Sequence, residues 1–219
     1  MLKRLYNFIF VFYIMFASPA TASPLHVAIS ADDLPAAQRL LTSPSGRSLR
    51  EERDEIGRTP LLLATELNRV DIARALIDVG ADVNATDAKQ DSPYLLAGAE
   101  GRLEILKMSL AHGANLASTN RYGGTALIPA AERGHVEVVR TLIAAGVKVD
   151  HINHLGWTAL LEAILLSNGG AAHQEIVRLL IAAGADVNLP DREGITPLQH
   201  AVHRGYVIIA TLLRKNGAR

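Results

Sequence analysis

The chain has 219 residues and no cysteine. That excludes disulfides, thiolate metal sites, a cysteine nucleophile and a lipid anchor on an amino-terminal cysteine, and it fits an oxidising compartment. Aromatic residues are scarce, at 5%, against a hydrophobic content of 49%. All four Phe fall within residues 8–16, and Trp157 is the only Trp. The interior of any fold must therefore be built from Ala, Val, Ile and Leu. An excess of one charge is missing too: the formal net charge is zero. Without Lys3 and Arg4 the chain holds two fewer bases than acids (22 less these two, against 22). This excludes a general electrostatic affinity for nucleic acid or anionic membrane. The sequence contains no G-x-S-x-G elbow, P-loop, H-E-x-x-H or dinucleotide fingerprint. No acid–base set converges, so neither enzymatic activity nor a cofactor is expected.

Residues 1–22 read as a secretory signal. Lys3 and Arg4 form the charged start, Leu5–Phe16 is an apolar run broken only by Asn7, and Ala20-Thr21-Ala22 supplies a small-x-small cleavage pattern. The run is shorter than the ~20 residues of a spanning helix. Cleavage after Ala22 is expected, with an uncleaved amino-terminal anchor as the alternative.

The rest of the chain is organised around residues 120–153. Gly123-Gly124 mark a turn, and Thr125 is placed to cap a first helix over 126–133. Gly134 breaks the chain, and a second helix over 135–145 stops at Gly146. Val136, Val138, Val139, Leu142 and Ile143 share one face of that helix. Such a pair cannot bury its apolar faces alone and needs like neighbours. They are present: the capping hydroxyls Thr59, Ser92, Thr125 and Thr158 recur every 33 residues, and Thr196 follows 38 later.

The motifs are GRTPLLLA at 57–64, DSPYLLAGAEG at 91–101, GGTALIPAAERGH at 123–135, GWTALLEA at 156–163 and GITPLQHA at 194–201. Helix-ending motifs are GADVNA at 80–85, GANLA at 113–117, GVKVD at 146–150 and GADVN at 184–188. A period of 33 with these motifs resembles the ankyrin repeat, a β-turn finger followed by two helices. The resemblance implies an all-α solenoid of about six units: 23–53, 54–86, 87–119, 120–152, 153–190 and 191–219. It also implies a protein–protein interaction module, expected to be monomeric. YGGTALIPAAERGH and GWTALLEAI are similar to repeats of exported bacterial ankyrin proteins, which points to the periplasm, with secretion as an alternative.

Departures from the pattern are informative. Asp32-Asp33 replaces the inter-helix glycine turn of the first unit, and Asp33 is placed to cap the second helix. Residues 42–54 read as a long polar loop. Asn68 stands where other units have Gly, and tolerates the left-handed backbone. Ser109 replaces a core Leu. The five extra residues of the fifth unit are expected as a flexible turn at 167–171, more tolerant of substitution at Gly169 than the tight turn at Gly134. Arg214-Lys215 gives the last unit a polar face, as a terminal repeat requires.

Two further patterns bear on chemistry. The pairs His151/His154 and His200/His203 fall short of the three or four converging ligands of a zinc site, so no metal is expected. Asn84-Ala85-Thr86 matches a glycosylation acceptor. By position in the family, finger tips and inner-helix ends line a concave binding face. The resemblance thus nominates Lys89, Asp91, Arg121, Tyr122, Glu132, Arg133, His154, Leu155, Trp157, Arg192 and Glu193 as protein-binding residues. Tyr122, Leu155 and Trp157 would cluster on adjacent fingers, and aromatic anchors with Arg dominate many interfaces. A structural scaffold of the cell envelope is the competing expectation.

Overall fold

The structure, a computed structural model, describes residues 23–219; the signal reading at 1–22 lies outside them. Thirteen helices follow one another among the described residues, with no strands. The inner helices are α1 (Pro24–Ser30), α4 (Pro60–Glu66), α6 (Pro93–Ala99), α8 (Leu127–Glu132), α10 (Ala159–Leu165) and α12 (Pro197–His203). The outer helices are α2 (Leu34–Thr42), α5 (Val70–Asp78), α7 (Leu103–Ala111), α9 (Val136–Ala144), α11 (Ala171–Ala182) and α13 (Val207–Lys215). Each inner helix packs on the next inner one, and each outer helix on the next outer one. The result is an all-α solenoid of six helix pairs.

Register explains the stacking. Two residues after the capping position stand Leu61, Tyr94, Leu127 and Leu160, all fully buried. Five residues after it stand Ala64, Ala97, Ala130, Ala163 and Ala201, also fully buried. Alanine here lets consecutive inner helices approach closely. The outer layer is a ladder of Leu76, Leu142, Leu180 and Leu213, interrupted by Ser109. Burying one Leu contributes roughly 1.5–3 kcal/mol, so the ladder is a large part of the cohesion between units. Ser109 is fully buried, and its hydroxyl donates to the Ile105 carbonyl at 2.9 Å. The weak point is satisfied, though with less packing than Leu.

The caps follow the sequence in four of five units. Thr59, Ser92, Thr158 and Thr196 each accept the amide three residues on, at 3.2–3.3 Å. Thr125 does not, and α8 begins only at Leu127. The reason is Pro129. It occupies the position whose amide would bond the Thr125 carbonyl, and it has no N–H. Ile128 N donates to that carbonyl instead, at 3.2 Å, and the Thr125 hydroxyl is left buried without a partner among the described residues.

The first unit matches expectation: Asp33 accepts the Ala36 amide at 2.8 Å, and Asp32 adopts φ +58°. Asn68 likewise adopts φ +54°. The segment 42–54 is a correction. It carries a short helix, α3 (Gly46–Leu49), and is tied to the second unit. Arg50 bonds the Val79 carbonyl, and Arg53 bonds the Gly57 and Thr86 carbonyls.

The fifth unit brings a second correction. Its outer helix has 12 residues against 9 in α9, which absorbs three of the five extra residues. The other two lengthen the connection to 166–170. That connection is pinned: the Tyr206 hydroxyl donates to the Ser167 carbonyl at 2.6 Å, and Gln174 Nε2 to the Gly169 carbonyl at 2.8 Å. Gly169 has φ +66°, and a Cβ there would lie 2.6 Å from the Tyr206 ring. At Gly134, φ +78°, it would lie 3.3 Å from the His173 imidazole. Gly169 is therefore the more constrained glycine. The last unit does expose Arg214 and Lys215, but also Val202, Val207 and Ile208.

Candidate concave binding groove

Each finger is built by one Asx residue. Asp54, Asp87, Asn120, Asn153 and Asp191 each accept, through Oδ1, the amides two and four residues on. The turn needs a left-handed residue three positions after the Asx. Gly57, Gly123, Gly156 and Gly194 fill it, and Gln90 does so in the third unit at φ +64°. The Gly turn was legible in sequence; the Asx frame, at constant spacing, was overlooked.

Between the fingers and the inner helices a groove of about 430 Å³ runs along units three to five. Of the nominated residues, Asp91, Arg121, Tyr122, Glu132, Arg133 and Leu155 line it. Lys89 lines an adjoining groove with Glu66 and Glu100. Tyr122 is 54% exposed and Leu155 50%. The Arg121 guanidinium lies 4.7 Å from the Tyr122 ring centroid, a cation–π contact that braces the ring. Arg121 also pairs with Asp91 at 3.2 Å, and Arg133 pairs with Glu100.

Trp157 is not among the groove-lining residues, and it is half-buried. His154 and Arg192 are exposed, but their rings and stems lie over the turn glycines Gly123 and Gly156 of the preceding fingers. Glu193 is exposed on the sixth finger. The structure thus brings six nominated residues together and disperses five.

It also adds one that sequence reading missed. Glu162, only 5% exposed, sits in the groove floor. Burial pushes its carboxyl up to about 7, and the neighbouring Glu132 carboxylate adds to the rise; the bond from Asn153 opposes it. A signal existed: four residues after the capping position, units two and three carry Leu63 and Leu96, whereas unit five carries Glu162 and unit six His200. In unit six the same register gives His200 Nε2 donating to Asp191 Oδ2 at 2.6 Å. Burial pushes the Asp191 carboxyl up, but the Ile195 amide, His200 and the Glu193 amide outweigh it and hold it below the usual carboxylate range.

Two further histidines bond backbone carbonyls, His173 across units four and five and His151 within unit four. His173 Nε2 donates to the Glu132 carbonyl at 2.8 Å, and His151 Nε2 to the Gly123 carbonyl at 2.7 Å. His203 is exposed. Among the described residues no three His, Asp or Glu side chains are grouped to hold a metal ion. Asn84, the glycosylation match, is committed to the stack: Nδ2 donates to the Gly113 carbonyl at 3.0 Å, and Oδ1 accepts the Asn115 amide at 2.8 Å.

Family models agree with this geometry. A model described as ankyrin repeats (3 copies) matches residues 6–87 and 94–191, and a single ankyrin repeat model matches 193–219. The chain belongs to the ankyrin-repeat family. An ankyrin repeat domain from Acinetobacter baumannii AYE is similar, at 60% identity and a TM-score of 0.85, over 90% of this chain and 98% of that one. The ankyrin repeat domain of Bcl-3, a member of the IkappaB protein family, is 29% identical at a TM-score of 0.80, covering 91% and 88%. Human inversin is 42% identical over 77 residues, 35% of this chain. That stretch spans only 7% of inversin's length. Ankyrin repeats are protein–protein interaction modules, and among the described residues no helix is long and apolar enough to cross a membrane.

Proposed function

We propose that this chain is a non-catalytic binding module that takes a partner protein along the groove of units three to five, and that it works in an exported compartment, the periplasm first. One observation carries the binding reading. Tyr122 and Leu155, on adjacent fingers, are large, half exposed and set at the edge of a groove whose floor is polar. Isolated exposed apolar side chains are ordinary, but a braced aromatic and a leucine flanked by Arg form an interface anchor. Export rests on the Lys3-Arg4 start, the Leu5–Phe16 run and Ala20-Thr21-Ala22. The 60% identity to an Acinetobacter protein supports a bacterial setting.

The binding test compares capture of proteins from the native compartment by the exported chain and by a Tyr122→Ala, Leu155→Ala variant. Truncating an anchor costs ~2 kcal/mol, a fall of roughly thirty-fold in affinity. Loss of a specific partner at unchanged thermal midpoint is the expected result; equal capture by both chains defeats the reading. Amino-terminal sequencing of exported protein should give Ser23 first. A chain that begins at Met1 and fractionates with membrane would replace the signal with an anchor.

A further inference from the structure

The groove at units three to five is lined by four carboxyls, Asp91, Glu100, Glu132 and Glu162, and two guanidiniums, Arg121 and Arg133. Both guanidiniums are committed, Arg121 to Asp91 and Arg133 to Glu100. Glu132 and Glu162 form no ion pair among the described residues. Glu162 is nine-tenths buried, and its Oε1 is bonded by Asn153 Nδ2 at 2.7 Å, while Oε2 accepts no hydrogen bond among the described residues. It lines the groove beside the Glu132 carboxyl, so two acidic groups share this surface with no basic partner of their own among the described residues.

We propose that the floor of this groove receives the cationic head of an arginine or lysine side chain presented by the partner protein, with Glu162 and Glu132 as its counter-charges. The inference rests on the protein-binding reading above and supplies its chemistry. Geometry and charge both fit. The exposed apolar surfaces of Tyr122, Leu155 and Leu166 flank the carboxyls and would cover the methylene stem of such a side chain while its head meets the floor. A guanidinium offers a planar fork of donors that matches a carboxylate, and an ammonium offers three donors. An acidic or phosphorylated segment would meet uncompensated negative charge instead. A metal ion is a poorer fit, since two carboxyls fall short of a ligand set and no third donor is grouped with them among the described residues. Burial pushes the Glu162 carboxyl up, and a cation beside it would favour the ionised form.

The test uses two peptides, acetyl-Gly-Arg-Gly-amide and its neutral isostere acetyl-Gly-citrulline-Gly-amide, titrated into the isotopically labelled exported chain. Amide shifts at Tyr122, Leu155 and Glu162 with the arginine peptide, and none with the citrulline peptide, are expected. Glu162→Gln should weaken the arginine peptide about ten-fold, and Glu132→Gln, a change at a more exposed carboxyl, should weaken it in the same direction. Native-like amide spectra of both variants establish that they fold. Equal responses to the two peptides, shifts that map elsewhere, or indifference to both substitutions overturn the proposal. If these fail while the Tyr122→Ala, Leu155→Ala variant still loses its partner, this inference falls and the binding reading stands. If that variant keeps its partner, it is the binding reading that falls.

Discussion

Asn153 Nδ2 donates to Glu162 Oε1 at 2.7 Å, joining the base of the fifth finger to the inner helix behind it. One residue thereby serves both structures: Asn153 Oδ1 holds the Leu155 and Trp157 amides that shape the finger. The sixth unit repeats the device with Asp191 and His200. Unit two has Leu63 at this register, and its inner helix reaches the finger elsewhere, through Glu66, which pairs with Arg58.

Glu162 should make stability fall with rising pH over a defined window. Burial pushes its carboxyl up to about 7 in the folded chain, above the ordinary glutamate value of 4.5. The folded chain therefore holds this proton more tightly, so the stabilising contribution is complete below ~4.5 and is lost as pH rises through ~7. The gap corresponds to roughly 3 kcal/mol at most. Glu162→Gln should be more stable than the parent at pH 8, with the difference shrinking towards pH 4.5, as read from urea midpoints. A difference that does not change with pH would remove the carboxyl from its buried setting.

Thr59→Val and Thr125→Val look alike in sequence and should differ in effect. Thr59 accepts the Leu62 amide at 3.2 Å, so its loss should cost about 1 kcal/mol. The Thr125 hydroxyl is buried with no partner among the described residues, and replacing it with a methyl should be neutral or stabilising. Equal losses at the two positions would contradict the Pro129 explanation of the shortened α8.

Gly169→Ala should destabilise more than Gly134→Ala. Both sites pay for a left-handed backbone, of order 1 kcal/mol. At Gly169 the added Cβ also runs into the Tyr206 ring at 2.6 Å, and that ring is anchored by its hydroxyl on Ser167. Overpacking of this kind costs ~1–3 kcal/mol. Tyr206→Phe, which releases the anchor, should cost about 1 kcal/mol alone and relieve part of the Gly169→Ala penalty. Urea midpoints of the four chains decide it; a larger loss at Gly134 would reverse the assignment.

Trp157→Ala should behave as a stability variant. The ring is half-buried and outside the groove lining, so truncation should lower the thermal midpoint by the equivalent of ~1–3 kcal/mol. Tyr122→Ala, at an exposed ring, should leave the midpoint within ~0.5 kcal/mol. The reverse ordering would return Trp157 to the binding face.

The sequence by itself determined the repeat, its register and the family, because every unit must bury the same two helix faces against its neighbours. The 33-residue spacing of Thr59, Ser92, Thr125 and Thr158 fixes which residues those are, and it also made Asn68 and Asp33 legible as turn and cap. What lay between units was not legible. The role of Pro129 depends on an amide missing four residues after Thr125. The five extra residues of unit five divide between helix and turn because Tyr206, 39 positions after Ser167, fixes one end of that turn. Trp157 and Glu162 stand in the same motif, GWTALLEA, yet Trp157 is not among the residues lining the groove while Glu162 is buried in its floor. A motif gives each residue's place in its unit. Only the stacking of units decides what faces it, and with that its burial, its partners and its charge.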